Sequence, residues 1–235
     1  MILPVKPGAM RSMLSLFILI STTMLFAQTD FAQLSRYRAA NEALPAPAPE
    51  EQRVVFLGNS ITEGWARQDP AFFTENHFVG RGISGQTSPQ LLLRFRQDVL
   101  DLNPHTVVIH IGTNDVAENT GPYDPEFTLG NIQSMTELAR TNGVKVILAA
   151  VLPATKFGWR PALGDRSQMI IELNRKLADY AQSENIPFVD YHAALTNAVG
   201  GMDPEYAEDG VHPTAMGYAI MKELVLSVIE RVREN

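Results

Sequence analysis

The chain has 235 residues, 45% of them hydrophobic and 19% charged, a composition and length that suit one globular domain with a sizeable core. A net charge of −7 without a run of Lys or Arg excludes an electrostatic footprint for nucleic acid or an anionic membrane surface, so no nucleic-acid partner is expected. Cysteine is absent, which removes disulfides, thiolate metal sites and a cysteine nucleophile.

Lys6 and Arg11 precede an apolar stretch from Met13 to Phe26, followed by Ala27 and Gln28, the pattern of a secretory signal peptide over residues 1–27. At ~14 residues the stretch falls short of the roughly 20 that span a bilayer as a helix. Export with cleavage near Ala27 and no stable membrane insertion afterwards is therefore expected, and loss of Lys6 and Arg11 would take the charge from −7 to −9. Residues 28–52 read as a short amphipathic helix with Phe31, Leu34 and Tyr37 at helical spacing behind an Asp30 cap, then an extended connector carrying Pro45, Pro47 and Pro49.

From Arg53 onward, over residues 53–235, short β-branched runs alternate with longer segments of helical period. Strands are predicted at Val54–Leu57, His77–Val79, Thr106–Ile111, Val144–Val151 and Pro187–Asp190. Helices are predicted at Ser88–Leu100, Pro125–Asn142 (Leu129, Ile132, Met135 and Leu138 inward), Ser167–Glu184 and Ala215–Val232, with a Gly143 stop before Val144. The expectation is an α/β fold, a three-layer α/β/α sandwich on a five-stranded, mostly parallel sheet. In such sheets ligands collect beyond the carboxyl ends of the strands.

Four segments at those ends carry complementary chemistry. Gly58-Asn59-Ser60-Ile61-Thr62 follows the first strand; its serine could present a nucleophilic hydroxyl, or could equally cap the next helix. Arg81-Gly82-Ile83-Ser84-Gly85 follows the second, where a glycine N–H can donate to an anion. Gly112-Thr113-Asn114-Asp115 follows the third and offers a carboxamide NH₂ to a developing oxyanion, or a turn cap. Asp209-Gly210-Val211-His212-Pro213 precedes the last helix; imidazole is the base that acyl transfer needs near neutral pH, and a carboxylate three residues back can orient it through a turn eased by Gly210.

In order and spacing these four blocks resemble those of the SGNH or GDSL-like hydrolases, over roughly Arg53 to the C-terminus. The resemblance implies a flavodoxin-like sandwich and a serine esterase in which Ser60 is the nucleophile, His212 the base and Asp209 its orienting acid. It further implies an oxyanion hole from the Ser60 and Gly82 N–H groups and Asn114, and a reaction that calls for no metal or other cofactor. Asn59 departs from the Asp that the family commonly has there, and Ile61 from its Leu. The substrate it suggests is a small-molecule or oligosaccharide ester, foremost a short O-acyl (O-acetyl) group on carbohydrate. The alternatives are a lipid-directed esterase or lysophospholipase, an arylesterase, and a non-catalytic carbohydrate-binding protein on the same fold. A flavodoxin-like nucleotide site would want a glycine-rich phosphate loop, which the first block lacks.

Other residues receive structural readings. Ser84 does not sit in a Gly-x-Ser-x-Gly elbow and is assigned to turn structure. His77, His105, His110 and His192 have no metal-ligand spacing and are read as satisfied structural histidines, with His110 and Asp115 placed where they could tune the site. Trp65 is expected in the core. Trp159 and Arg160, in the long stretch from Leu152 to Arg166, are either substrate contacts or packing anchors.

Overall fold

The computed structural model describes residues 30–234, so the expected signal segment lies outside the described residues. In chain order the elements are α1 (Arg38–Ala43), β1 (Val54–Gly58), α2 (Ser60–Gln68), α3 (Pro70–Glu75), β2 (Phe78–Gly82) and α4 (Ser88–Asp98). They continue with β3 (Thr106–His110), α5 (Thr113–Val116), α6 (Pro125–Thr141), β4 (Lys145–Ala149), α7 (Ser167–Ser183), β5 (Phe188–Val189), α8 (Tyr191–Leu195) and α9 (Ala215–Glu234). No helix among the described residues is long and apolar enough to cross a membrane.

The strands form one sheet in the order β2-β1-β3-β4-β5, every pair parallel. Parallel strands covered on both faces must be apolar on both, and the period-2 alternation sorts their side chains between two cores. Val55, Leu57, Val107, Ile109 and Leu148 meet Leu91 and Phe95 of α4, Met135 of α6 and Leu173 of α7. Val54, Phe56, Val108 and Ile147 meet Trp65 of α2, Phe72 of α3, Tyr191 of α8 and Met221 and Val225 of α9. The order reverses direction between β1 and β3, which places a ligand crevice at their carboxyl ends. There Gly58 of β1 pairs with Gly82 on one side and His110 on the other.

Three expectations need correction. The helix expected from Asp30 starts only at Arg38, because the backbone before it has other partners. The Asp30 carboxylate accepts from the Leu34 and Ser35 N–H groups, and Gln33 lies in the left-handed region at φ 52°. The carbonyls of Phe31, Ala32 and Leu34 accept from the side chains of Gln90, Gln86 and Gln97. Leu138 is exposed rather than inward on α6, and Thr136 and Ala139 face the core instead. The second strand runs to Gly82 rather than ending at Val79, so Arg81 and Gly82 belong to the sheet.

A fully buried ion pair ties the first core to the β1 end. Arg94 of α4 reaches Asp98 at 3.0 Å, donates to Gln86 Oε1 at 2.7 Å and donates to the Gly58 carbonyl at 2.9 Å. Asn41 of α1 donates to Asp98 from outside at 2.7 Å. Removing one partner strands the other charge out of reach of solvent, a loss of about 3–5 kcal/mol. Asp98→Ala is accordingly expected to lower the urea midpoint by that much stability at unchanged slope; a midpoint equal to that of the parent chain would contradict it.

Candidate active site

Ser60 is the first residue of α2, and the capping role that competes with catalysis belongs to its neighbour. Asn59 is buried and its Oδ1 accepts from the Ile61 N–H at 3.0 Å, so Asn there does the work that Asp would do. The Ser60 hydroxyl is thereby free of the helix, and Ser60 Oγ lies 2.8 Å from His212 Nε2 across 152 positions of sequence. His212 Nδ1 lies 2.6 Å from Asp209 Oδ2. The other Asp209 oxygen accepts from the Val211 and His212 N–H groups at 2.9 and 2.7 Å, and Gly210 between them sits at φ 78°, where only glycine is unstrained. Burial alone would raise the Asp209 carboxyl, but these N–H donors and the imidazole outweigh it and hold the acid below its ordinary range.

The His212 loop is docked on α2 through the second core. Tyr218 of α9 donates to the Ile61 carbonyl at 2.8 Å and stacks on Trp65 at 5.4 Å between centroids, with Phe72 stacked on the far side at 5.0 Å. Trp65 is therefore core, as expected. Gly64 makes room for this contact, since a Cβ there would lie 2.7 Å from the Tyr218 hydroxyl.

Gly82 closes the other side of the nucleophile turn, but its N–H is not the oxyanion donor expected of it: Ile83 donates toward β1, so the Gly82 carbonyl, held by Tyr37, and the Gly82 N–H both face the outer edge of the sheet. A Cβ on Gly82 would lie 2.2 Å from the Glu63 N and 2.6 Å from the Asn59 carbonyl oxygen, so only glycine lets β2 approach the start of α2 so closely. Asn114 is buried in α5 and spends one carboxamide hydrogen on the Gln86 carbonyl at 2.9 Å, leaving the second for a ligand oxygen. The first N–H of a helix has no acceptor within it, which gives Ser60 a free donor at the positive end of α2. A hydroxyl bonded to an oriented imidazole at the start of a helix is the equipment for acyl transfer.

The remaining candidates separate. Trp159, 42% exposed, stands beside the triad with its ring 6.1 Å from that of His212; its Nε1 donates to Asn119 Oδ1 at 2.9 Å, and Asn119 in turn donates to the Gly85 carbonyl. Arg160 is turned to the Glu118 carbonyl at 2.9 Å. Ser84 lies in a turn, where its N–H and hydroxyl both donate to the Glu63 carboxylate. His105 pairs with Thr106 and His192 with Thr196, but the satisfied reading needs amendment at His110 and His192, whose Nε2 atoms are buried without a partner. His110 bonds the Ala150 backbone and lies edge-on to Tyr191, and burial pushes it down to about 4, which keeps it neutral. Sequence reasoning did not single out Gln86, Arg94 or Asn119, because their roles come from contacts distant in sequence.

Asp115 anchors α4 rather than reaching the triad. It accepts from the Ser88 N–H at 3.0 Å and from the Ser88 hydroxyl at 2.6 Å. Burial outweighs these donors and pushes its carboxyl up to about 6. The folded chain thus holds a proton that the unfolded chain releases near 4, so stability falls as pH rises from about 4 to about 6. Asp115→Asn keeps an acceptor for Ser88 without the titration. The stability difference between parent and variant should change by about 2–3 kcal/mol across that window and be flat above it. Equal pH profiles in denaturant melts would refute this.

A sequence profile described as the GDSL-like Lipase/Acylhydrolase family matches residues 56–220. The structure of a GDSL-like lipase from Bacteroides thetaiotaomicron is 52% identical, with a TM-score of 0.84 over 86% of this chain and 98% of that one. An acetylxylan esterase of Xylanibacter ruminicola is 25% identical over 226 residues, covering 80% of this chain. The chain spans 45% of the length of that relative. An arylesterase of Vibrio mimicus is 25% identical over 182 residues, covering 72% of this chain and 84% of the relative.

Proposed function

The chain belongs to the GDSL-like lipase/acylhydrolase family, and from that premise we propose that it is an exported serine esterase that removes short O-acyl groups, foremost O-acetyl, from carbohydrate. Ser60 Oγ attacks the ester carbonyl as His212 Nε2 takes its proton, and Asp209 stabilises the imidazolium. The Ser60 N–H group and the Asn114 carboxamide stabilise the oxyanion of the tetrahedral intermediate. His212 then returns the proton to the departing sugar oxygen, leaving the acyl group on Ser60. Water, deprotonated by His212, attacks that acyl ester and releases the carboxylic acid, restoring the serine. The observation that carries the mechanism is the unbroken chain from Ser60 Oγ through the imidazole to Asp209, at 2.8 and 2.6 Å.

The choice of carbohydrate rests on what surrounds the triad. Trp159 offers an exposed aromatic face beside His212, a surface suited to the apolar face of a sugar ring. The open groove on the Asp209 side mixes Gln68, Glu208 and Thr214 with only the small apolar side chains of Pro213 and Ala215, a poor wall for a long acyl chain. The acetylxylan esterase among the relatives agrees with this reading, and the basic and apolar stretch from Lys6 to Phe26 suits export to where polysaccharide lies. The arylesterase relative supports a second reading, in which Trp159 faces an aromatic alcohol.

Acetate release from acetylated xylo-oligosaccharides, set beside hydrolysis of p-nitrophenyl esters of graded chain length, separates these readings. Ser60→Ala should abolish both activities, and Asn114→Ala should lower kcat by about 10²- to 10³-fold while the chain stays folded. Trp159→Ala should raise KM several-fold for the oligosaccharide and leave p-nitrophenyl acetate nearly unaffected. Rates that climb with acyl chain length, or activity surviving in Ser60→Ala, would overturn the proposal.

A further inference from the structure

The short helix α5 ends in a left-handed turn at a residue that is not glycine. Glu118 has φ 55°, its N–H donates to the Asp115 carbonyl at 2.9 Å, and the Asn119 N–H donates back to the Asn114 carbonyl at 3.0 Å. Glycine makes such a reversal without strain, and a larger residue keeps it only where its surroundings hold it. The loop after β4 does so here. Arg160 donates to the Glu118 carbonyl at 2.9 Å, and Arg166 pairs with the Glu118 carboxylate at 3.1 Å. Asn119 is thereby tied through the backbone to Asn114 and through its neighbour to the loop that carries Trp159.

From this turn the Asn119 side chain joins two other loops. Its Oδ1 accepts from Trp159 Nε1 at 2.9 Å, and its Nδ2 donates to the Gly85 carbonyl at 3.1 Å. An indole N–H can only donate and a carbonyl can only accept, so the group between them has to accept at one end and donate at the other. A carboxamide meets both demands and a carboxylate does not. The indole has neighbours on two further sides: the buried Phe157 ring lies 5.2 Å away between centroids, and the His212 ring 6.1 Å. Trp159 is therefore a surface fixed in place beside the triad, with part of its face left open.

We infer that Asn119 is a positioning residue for substrate specificity, its carboxamide holding the Trp159 ring beside His212 as a ready platform for the sugar of the ester. The inference rests on the proposed role of Trp159 as the sugar-binding face. A side chain ordered before the substrate arrives spares binding the cost of ordering it, so loss of that order is felt in KM rather than in the chemical step.

The test is Asn119→Leu, which keeps a side chain of similar size and removes both hydrogen bonds, made alone and together with Trp159→Ala. With acetylated xylo-oligosaccharides, Asn119→Leu should raise KM about three- to tenfold and leave kcat within about twofold. Adding it to Trp159→Ala should change KM by no more than about twofold, because an absent ring cannot be displaced. Acrylamide should quench the fluorescence of Asn119→Leu more steeply than that of the parent chain, since Trp65 is sealed in the second core and Trp159 supplies the accessible emission. A KM equal to the parent's in Asn119→Leu, or a rise in KM with unchanged quenching, would overturn the inference. Effects on KM that multiply in the double variant would overturn it as well, by making Asn119 itself a substrate contact. Failure of the underlying carbohydrate reading has a different signature: Trp159→Ala would then keep the parent's KM for the oligosaccharide while the quenching of Asn119→Leu still rose, and Asn119 would hold a ring that no sugar uses.

Discussion

The Gly58 carbonyl, at the last position of β1, accepts from a guanidinium that has no access to water. Arg94 can be buried there only because Asp98 and Gln86 take its remaining charge and hydrogens, and each of them is in turn fixed by another part of the molecule. Asp98 is held by Asn41 from the N-terminal segment, and Gln86 presents its own carbonyl to Asn114. One buried cation therefore sets the relative positions of the nucleophile turn, the loop after β2 and the loop after β3. A hydrophobic core could pack these elements together, but it would not dictate the direction of a carbonyl. Hydrogen bonds to a desolvated charge do so, because misalignment leaves the charge unpaid.

The remainder of the site is built differently. Asp209 and His212 sit in a half-exposed turn and are joined to each other by local geometry, with the second core locating the pair. The Trp65 and Tyr218 stack carries no charge, and it tolerates small shifts that the Arg94 network would not. The division follows chemical need. Oxyanion donors must be immobile when charge develops, whereas an imidazole that passes a proton from serine to leaving group must serve two partners.

This division also explains what could be read from sequence. The Asp209 and His212 pair was legible because its geometry is local, and the order of strands and helices was legible because both faces of a parallel sheet demand apolar runs. The second strand was cut short at Val79 because Gly80, Arg81 and Gly82 have no β-branched signature; they are extended because β1 pairs with them residue by residue. The segment after Asp30 has a helical apolar spacing, but Gln86, Gln90 and Gln97, more than fifty positions later, capture its carbonyls. Nothing in the local sequence announces those partners. Ser60 lay between the two cases, since a serine after Gly-Asn suits a cap or a nucleophile until the structure gives the cap to Asn59.

Asn59 shows how one neutral replacement fits this scheme. At this position the side chain has to accept from the Ile61 N–H, and an amide oxygen does so as well as a carboxylate oxygen. A buried carboxylate beside Ser60 would also add negative charge next to the place where an oxyanion forms, opposing the donors gathered there. Asn avoids that repulsion while retaining the cap. In the proposed mechanism the helix dipole, the Ser60 N–H and the Asn114 carboxamide then act on the developing charge without a carboxylate at position 59, and the acid is kept at Asp209, on the far side of the imidazole.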